Sequence, residues 1–121
     1  MENLKWLPSE AILNLRRKER YLNIVANKIR LSILYLLNKI NDKLNFNQIA
    51  NKLKIERNKL AYHISLLKRN HFIDNSTNFD EKTGKAFSYY SITEKGKNII
   101  EIINKMTEDF EDYEKQIEDT L

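Results

Sequence analysis

Apolar residues recur at three- and four-residue steps through most of this chain, switch to a two-residue step near its middle, and return to a strict seven-residue repeat at its end. Ile12, Leu13, Leu15, Leu22 and Val25 roughly follow helical spacing, and Ser9 is expected to cap that helix behind an arm of eight residues. Asn27 opens a second helical pattern, KIRLSILYLLNKIN, in which Ile29, Ile33, Leu36, Leu37 and Ile40 form a core stripe. Lys43 to Phe46 is too short for a helix and reads as a short strand. From Asn47, NQIANKLKI turns Ile49, Ala50 and Leu53 inward over about two turns, a length that depends on packing for its stability. A turn at Lys54-Ile55-Glu56 leads to a fourth helix with Leu60, Ile64 and Leu67 inward and Ile55 beneath the turn.

Between Asn70 and Ile92 the period falls to two. Phe72 and Ile73 begin a strand, STNFDEKTGK supplies turn residues with Gly84 free to take positive φ, and Ala86, Ser88, Tyr90 and Ile92 alternate with Phe87, Tyr89 and Ser91. That pattern is a β-hairpin. Beyond it, Ile99, Ile103, Met106, Phe110, Tyr113, Ile117 and Thr120 are separated by 4, 3, 4, 3, 4 and 3, a heptad seam. A body of this size can take the Ile99–Met106 part. Phe110, Tyr113 and Ile117 extend past it, so Ile99, Ile103, Met106, Phe110, Tyr113 and Ile117 are expected to form a homodimer interface, parallel or antiparallel. The expected organisation is an arm and helix over 1–26, a middle unit over 27–92 and an amphipathic pairing helix over 93–121.

Composition narrows the class. With 121 residues and 41% hydrophobic content the chain buries one core, and with 31% charged residues, two Gly and one Pro it is mainly helical and ordered. The longest apolar run, LSILYLL, falls far short of the roughly 20 residues a bilayer span requires. MENLKWLPSE carries an acid and lacks an apolar signal core, so a cytoplasmic, unprocessed protein is expected. Cysteine is absent, which excludes disulfides, thiolate zinc sites and cysteine nucleophiles. No Gly-rich phosphate loop and no nucleophile with a base appears, so no enzyme, cofactor or metal site is expected.

Charge is segregated. Residues 1–92 hold 17 Lys and Arg against 8 Asp and Glu, whereas 93–121 hold 4 against 9. A basic body attracts a polyanion, and an acidic tail faces away from it or lies on a partner subunit. Arg16-Arg17-Lys18-Glu19-Arg20 reads first as a solvated helix face and second as a phosphate contact.

The order of these elements, with AYHISLLKRNHFI preceding the hairpin, YYSITEKG closing it, and KIRLSILYLL as framework helix, resembles the ArsR-like and broader MarR-like winged helix-turn-helix regulators over about residues 27–96. The resemblance implies an α+β fold, mainly α with a small β-hairpin, in which the fourth helix enters the major groove of double-stranded DNA and a long C-terminal helix dimerises. Its outer face then carries the contacts. Arg57 is placed to bond guanine twice, Asn58 adenine, and Tyr62 a thymine methyl or a phosphate, with Ser65 in the same half-helix. Lys59, Lys68 and Arg69 would meet phosphates, and Lys82 and Lys85, with Asn75, would meet backbone or minor groove from the hairpin, where Asp80 and Glu81 oppose them.

His63 falls where these families place a histidine and is expected to be a satisfied, partly buried side chain; His71 is a turn residue. The metal-sensing members use cysteines in the recognition helix or carboxylate and His ligands in the last helix. This chain has no Cys, and no His from Thr93 onward. Metal sensing is therefore disfavoured, and no small-molecule effector site is visible. The function implied is a homodimeric, sequence-specific DNA-binding transcriptional regulator. The alternative is a winged-helix protein-interaction subunit of a transcription or replication assembly, motivated by Phe87 and Tyr89, both expected to be exposed, and by the acidic tail.

Overall fold

The computed structural model describes residues 6–120. It contains α1 (Ser9–Val25), α2 (Lys28–Ile40), β1 (Leu44–Asn45), α3 (Phe46–Leu53), α4 (Arg57–Arg69), β2 (Ile73–Asp80), β3 (Lys85–Ile92) and α5 (Glu94–Thr120). The α+β architecture is the expected one. Of the expected arm, residues 1–5 lie outside the described residues.

The helix ends show why the chain breaks where it does. Asn27 accepts a hydrogen bond from the Arg30 amide at 3.0 Å, the N-cap expected of it. Asn45 and Gln48 form a reciprocal capping box, each amide bonded to the other's side chain at 2.8 Å. That box starts α3 at Phe46, one residue before the expected Asn47. Ser9 does not cap α1: it is the first helical residue, and Pro8, with φ −59°, supplies the N-cap without a side-chain bond. Asn41 and Lys54 close α2 and α3 in the left-handed conformation, with φ of 52° and 54°.

Helix α2 lies at the centre, with α1, α3, α4, α5 and β3 packed against it. Its inward residues are Ile33, Leu34 and Leu37, all fully buried, while Ile29 and Leu36 are partly covered and Ile40 is exposed. A helix surrounded on several sides buries a wide arc, so Leu34 joins the core and the narrow stripe predicted from threes and fours misses it. Ile49, Leu60, Leu67 and Ile73 complete the fully buried set, and Ile100 reaches it from α5.

Helix α1 departs most from its predicted pattern. Only Val25 is buried; Leu13, Leu15 and Leu22 are exposed. The helix docks by its C-terminal end and leaves most of its apolar stripe in solvent.

The sheet has the order β1-β3-β2, antiparallel throughout. Leu44 pairs with Tyr90, and the hairpin register runs from Ile73 opposite Ile92 to Asp80 opposite Lys85. Ser76 to Asp80, expected as turn, are therefore strand. Their polar composition hid the alternation, because the outer hairpin is solvated on both faces and buries no apolar side. The turn itself is Glu81 to Gly84, with Gly84 at φ +70°.

The junction of hairpin and α5 is tight. The Thr93 hydroxyl accepts from the Gly96 amide at 3.1 Å and lies within hydrogen-bond distance of the His71 and Phe72 carbonyls. A Cβ on Gly96 would collide with the Phe72 carbonyl and lie 2.6 Å from Ile92 Cγ1. Glycine here lets the first turn of α5 press against the base of the hairpin.

Candidate nucleic-acid interface

The two faces of α4 differ in chemistry. Leu60, His63, Ile64 and Leu67 are buried, whereas Arg57, Asn58, Lys59, Tyr62, Ser65, Lys68 and Arg69 are all exposed. The seven residues of α4 expected to meet DNA thus share one surface. Asn58, Tyr62, Ser65 and Arg69 follow steps of 4, 3 and 4 and form its central line. Between Asn58 and Tyr62 lies Ala61, also exposed, which the sequence reading passed over. A methyl group on this face, beside its central line, leaves room for close approach, and a small residue on the outer side of a polar helix was the available signal. No acidic side chain occurs between Arg57 and Arg69.

The orientation of this helix is fixed by the preceding turn and by a buried polar contact. Lys54 takes the left-handed conformation, the Ile55 amide bonds the Ala50 carbonyl at 3.1 Å, and Ile55 is half-buried under the turn as expected. On the inner face, His63 Nδ1 lies 3.0 Å from an Arg30 guanidinium nitrogen. The same guanidinium donates to the Asn23 carbonyl at 3.0 Å and to the Ile24 carbonyl. His63 is therefore satisfied as expected, and it is buried rather than partly buried. Burial holds its pKa below the ordinary 6.5, and the cations Arg30 and Lys59 push it the same way. Arg30 itself was not singled out; its one signal was a cation four residues before Leu34 on the inward side of α2.

At the hairpin tip Lys82 and Lys85 are exposed, and among the described residues neither forms an ion pair. Asp80 is turned onto the turn backbone, accepting from the Lys82 amide at 2.9 Å. Its carboxylate organises the turn rather than neutralising a lysine. Asn75 donates to the Ser88 hydroxyl at 3.1 Å. Phe79 and Phe87 are exposed, but the register pairs Phe79 with Ala86 and Phe87 with Asn78, which puts the two rings on opposite faces of the ribbon. Tyr89, expected to be exposed, is half-buried where β3 is flanked by both β1 and β2.

Helix α5 carries the second exposed surface. Met106, Phe110, Tyr113 and Ile117 of the expected seam are exposed. Ile99 and Ile103 lean toward the body and are partly covered, and Ile102, absent from the expected seam, joins the exposed line with 60% of its surface accessible. The strict heptad placed Ile103 where a straight helix, at 3.6 residues per turn, places Ile102. Beside the root of this line an apolar groove of about 470 Å³ runs between α1 and α5, lined by Tyr21, Leu22, Val25, Phe72, Ile99 and Ile102.

Among the described residues no helix is long and apolar enough to cross a membrane, and no cluster of His, Cys, Asp and Glu could hold a metal ion. The model of a family described as winged helix DNA-binding domain matches residues 29–113. That match runs well into α5, further than the strings quoted from the sequence. No curated protein matches the chain. Among solved structures, NolR from Sinorhizobium fredii superposes with a TM-score of 0.65 at 23% identity, covering 88% of this chain and 96% of that one. The reduced transcriptional regulator YodB from B. subtilis gives 0.64 at 17%, covering 75% and 85%. The transcriptional repressor BigR from Xylella fastidiosa gives 0.59 at 14%, covering 81% and 92%. At these identities the likeness establishes the fold.

Proposed function

The chain belongs to the winged helix DNA-binding domain family, and on that premise we propose that it is a homodimeric transcriptional regulator that reads double-stranded DNA. The observation that carries this reading is the outer face of α4: seven polar or cationic side chains, all exposed, without an acid, on a helix anchored by its opposite face. The N-terminal half enters the major groove, with Arg57 on guanine, Asn58 on adenine, and Tyr62 and Ala61 beside thymine methyls. Lys59, Lys68 and Arg69 hold phosphates on either side, and Ser65 lies at the edge of the base-reading half. Lys82 and Lys85 reach the backbone or the adjoining minor groove from the hairpin.

Pairing is the second part of the proposal. Residues 27–92 form the reading unit and 93–121 the pairing helix, with Ile99, Ile102, Ile103, Met106, Phe110, Tyr113 and Ile117 at the contact and the bare stripe of α1, from Leu13 to Leu22, extending it. Two copies then present two α4 helices to half-sites about 34 Å apart. The protein acts by binding rather than catalysis, in the cytoplasm.

Fluorescence-anisotropy titration of a labelled duplex from upstream of its own gene, at two salt concentrations, tests the reading. Binding that weakens steeply with salt is expected, because phosphate contacts release counterions. Absence of binding to any duplex, or binding indifferent to salt, sinks it. The exposed rings of Phe79 and Phe87 favour a protein-contact role as second reading, although they face opposite ways.

A further inference from the structure

The Arg30 guanidinium joins three helices at one point. Arg30 is 9% exposed, and its guanidinium, carried on the first turn of α2, caps two of the last carbonyls of α1 at Asn23 and Ile24 and meets His63 on the inner face of α4. A cation on the C-terminal carbonyls of a helix is favourably placed. The contact with His63 imposes a protonation state. A guanidinium only donates, so His63 Nδ1 must accept, and its proton resides on Nε2. Adding a proton to Nδ1 would set N–H against N–H and cation against cation.

The two cations near this imidazole oppose that second charge. Arg30 approaches from α2, Lys59 lies one turn back on α4, the Tyr62 ring meets His63 edge-on at 5.1 Å, and α1 contributes only carbonyls, already bonded to Arg30. Among the described residues no carboxylate bonds to His63 or Arg30. His63 is thus a buried titratable group with no anion to stabilise its charged form, directly beneath Tyr62 on the DNA-facing surface.

We propose that Arg30 and His63 are positioning residues for DNA reading: while His63 is neutral the guanidinium clamps α4 to the end of α1, and proton uptake at His63 opens the clamp and lowers DNA affinity. This inference rests on the reading role assigned to α4 above. It also joins the two functional surfaces, because α1 bears the apolar stripe that pairing would cover. The sign is diagnostic. Acidification makes a protein more cationic and ordinarily strengthens its hold on a polyanion, whereas opening the clamp weakens it.

Two measurements test the clamp, one with DNA and one without. Anisotropy with the same upstream duplex at fixed salt is expected to show wild-type affinity falling about tenfold from near-neutral to mildly acidic pH, a usual size for coupling between sites. His63→Asn, whose Oδ1 takes the place of Nδ1 but does not titrate, should keep neutral-pH affinity and lose the acid decline. His71→Asn, altering the exposed histidine, should keep the decline. Arg30→Lys retains the charge without the fork and should bind weakly at both pH values. In the absence of DNA, nitrogen-resolved NMR of the imidazole should place the His63 proton on Nε2 in the wild type, with a mixed tautomer and a higher titration midpoint in Arg30→Lys. A proton on Nδ1 at neutral pH, or an undiminished acid decline in His63→Asn, overturns the proposal. If the duplex fails to bind at every pH the DNA reading itself falls, and the NMR result still decides whether the clamp exists.

Discussion

Helices α4 and α5 are both amphipathic, both rooted in the same core, and both leave a face uncovered, yet the uncovered faces are opposite in kind. On α4 it is polar and cationic, from Arg57 to Arg69. On α5 it is a line of Ile102, Met106, Phe110, Tyr113 and Ile117 flanked by Glu108, Asp109, Glu111, Asp112 and Glu114. Water and counterions satisfy the first face, so it costs little to leave bare until a polyanion displaces them. The second bears a standing penalty, since each large apolar side chain left in water forgoes about 1.5–3 kcal/mol. Under the proposed function the two surfaces await different partners: α4 an occasional one bound through charge, α5 a permanent one bound through area.

The sharpest way to break that contrast is to empty each face separately. Replacing Arg57, Lys59 and Tyr62 together with Ala should lower duplex affinity by several hundredfold or about 3–4 kcal/mol, as one bidentate base contact and its phosphate neighbours are lost. The sedimentation profile should not move. A loss smaller than about threefold would place DNA binding elsewhere, and intact cellular activity in this variant alongside its loss on replacing Phe110 and Tyr113 would favour the protein-contact role. The converse variant, Phe110→Lys, removes one ring per copy and sets a charge in the stripe. It should raise the dimer dissociation constant by about thirtyfold, equivalent to about 2 kcal/mol, leave the thermal unfolding of dilute protein unchanged, and lower DNA affinity only through loss of pairing. Sedimentation as an unaltered dimer would refute the pairing role of α5.

How much of this was readable in the chain follows the same division. The α4 helix and its inward Leu60, Ile64 and Leu67 were legible because local period, the turn at Lys54 and the polar face all agree. The α5 stripe was legible as a stripe but not in phase: a seven-residue template selected Ile103, and only the packing of Ile100 and Gly96 against the body shows that the helix turns Ile102 outward. Helix α1 misled for a related reason, since an apolar period says that a face will be covered but not by which chain. The Arg30–His63 contact spans 33 residues of sequence, and no pairwise signal in a single sequence reports a bond of that reach. Ser76 to Asp80 were missed because a strand solvated on both sides has no alternation to display.

A smaller effect separates the anchored root of α5 from its free end. Gly96→Ala drives a methyl against the Phe72 carbonyl and Ile92, an overpacking that costs about 1–3 kcal/mol. Circular-dichroism melting should register it as a lower Tm, whereas Gly84→Ala, which meets nothing within 4 Å, costs only the strain of its positive φ, about 1 kcal/mol. Equal melting of Gly96→Ala and the wild type would mean that the root of α5 yields easily, and with it the rigid spacing between the two reading helices of a dimer.

The smallest expected effect bears on whether the hairpin belongs with α4 or stands apart. Lys82 is exposed in the turn near Gly84, and the Asp80 carboxylate at the end of β2 is committed to the Lys82 amide. A lysine so placed is free to meet a phosphate, and a phosphate contact contributes to every sequence alike. Lys82→Ala should therefore weaken binding about threefold to all duplexes and reduce the slope of log affinity against log salt by about 1. An unchanged slope would detach the hairpin from the DNA and confine recognition to α4. A reduced preference among sequences at constant slope would mean instead that the hairpin reads the minor groove, and the cationic surface would then extend from α4 across the turn as a single base-reading unit.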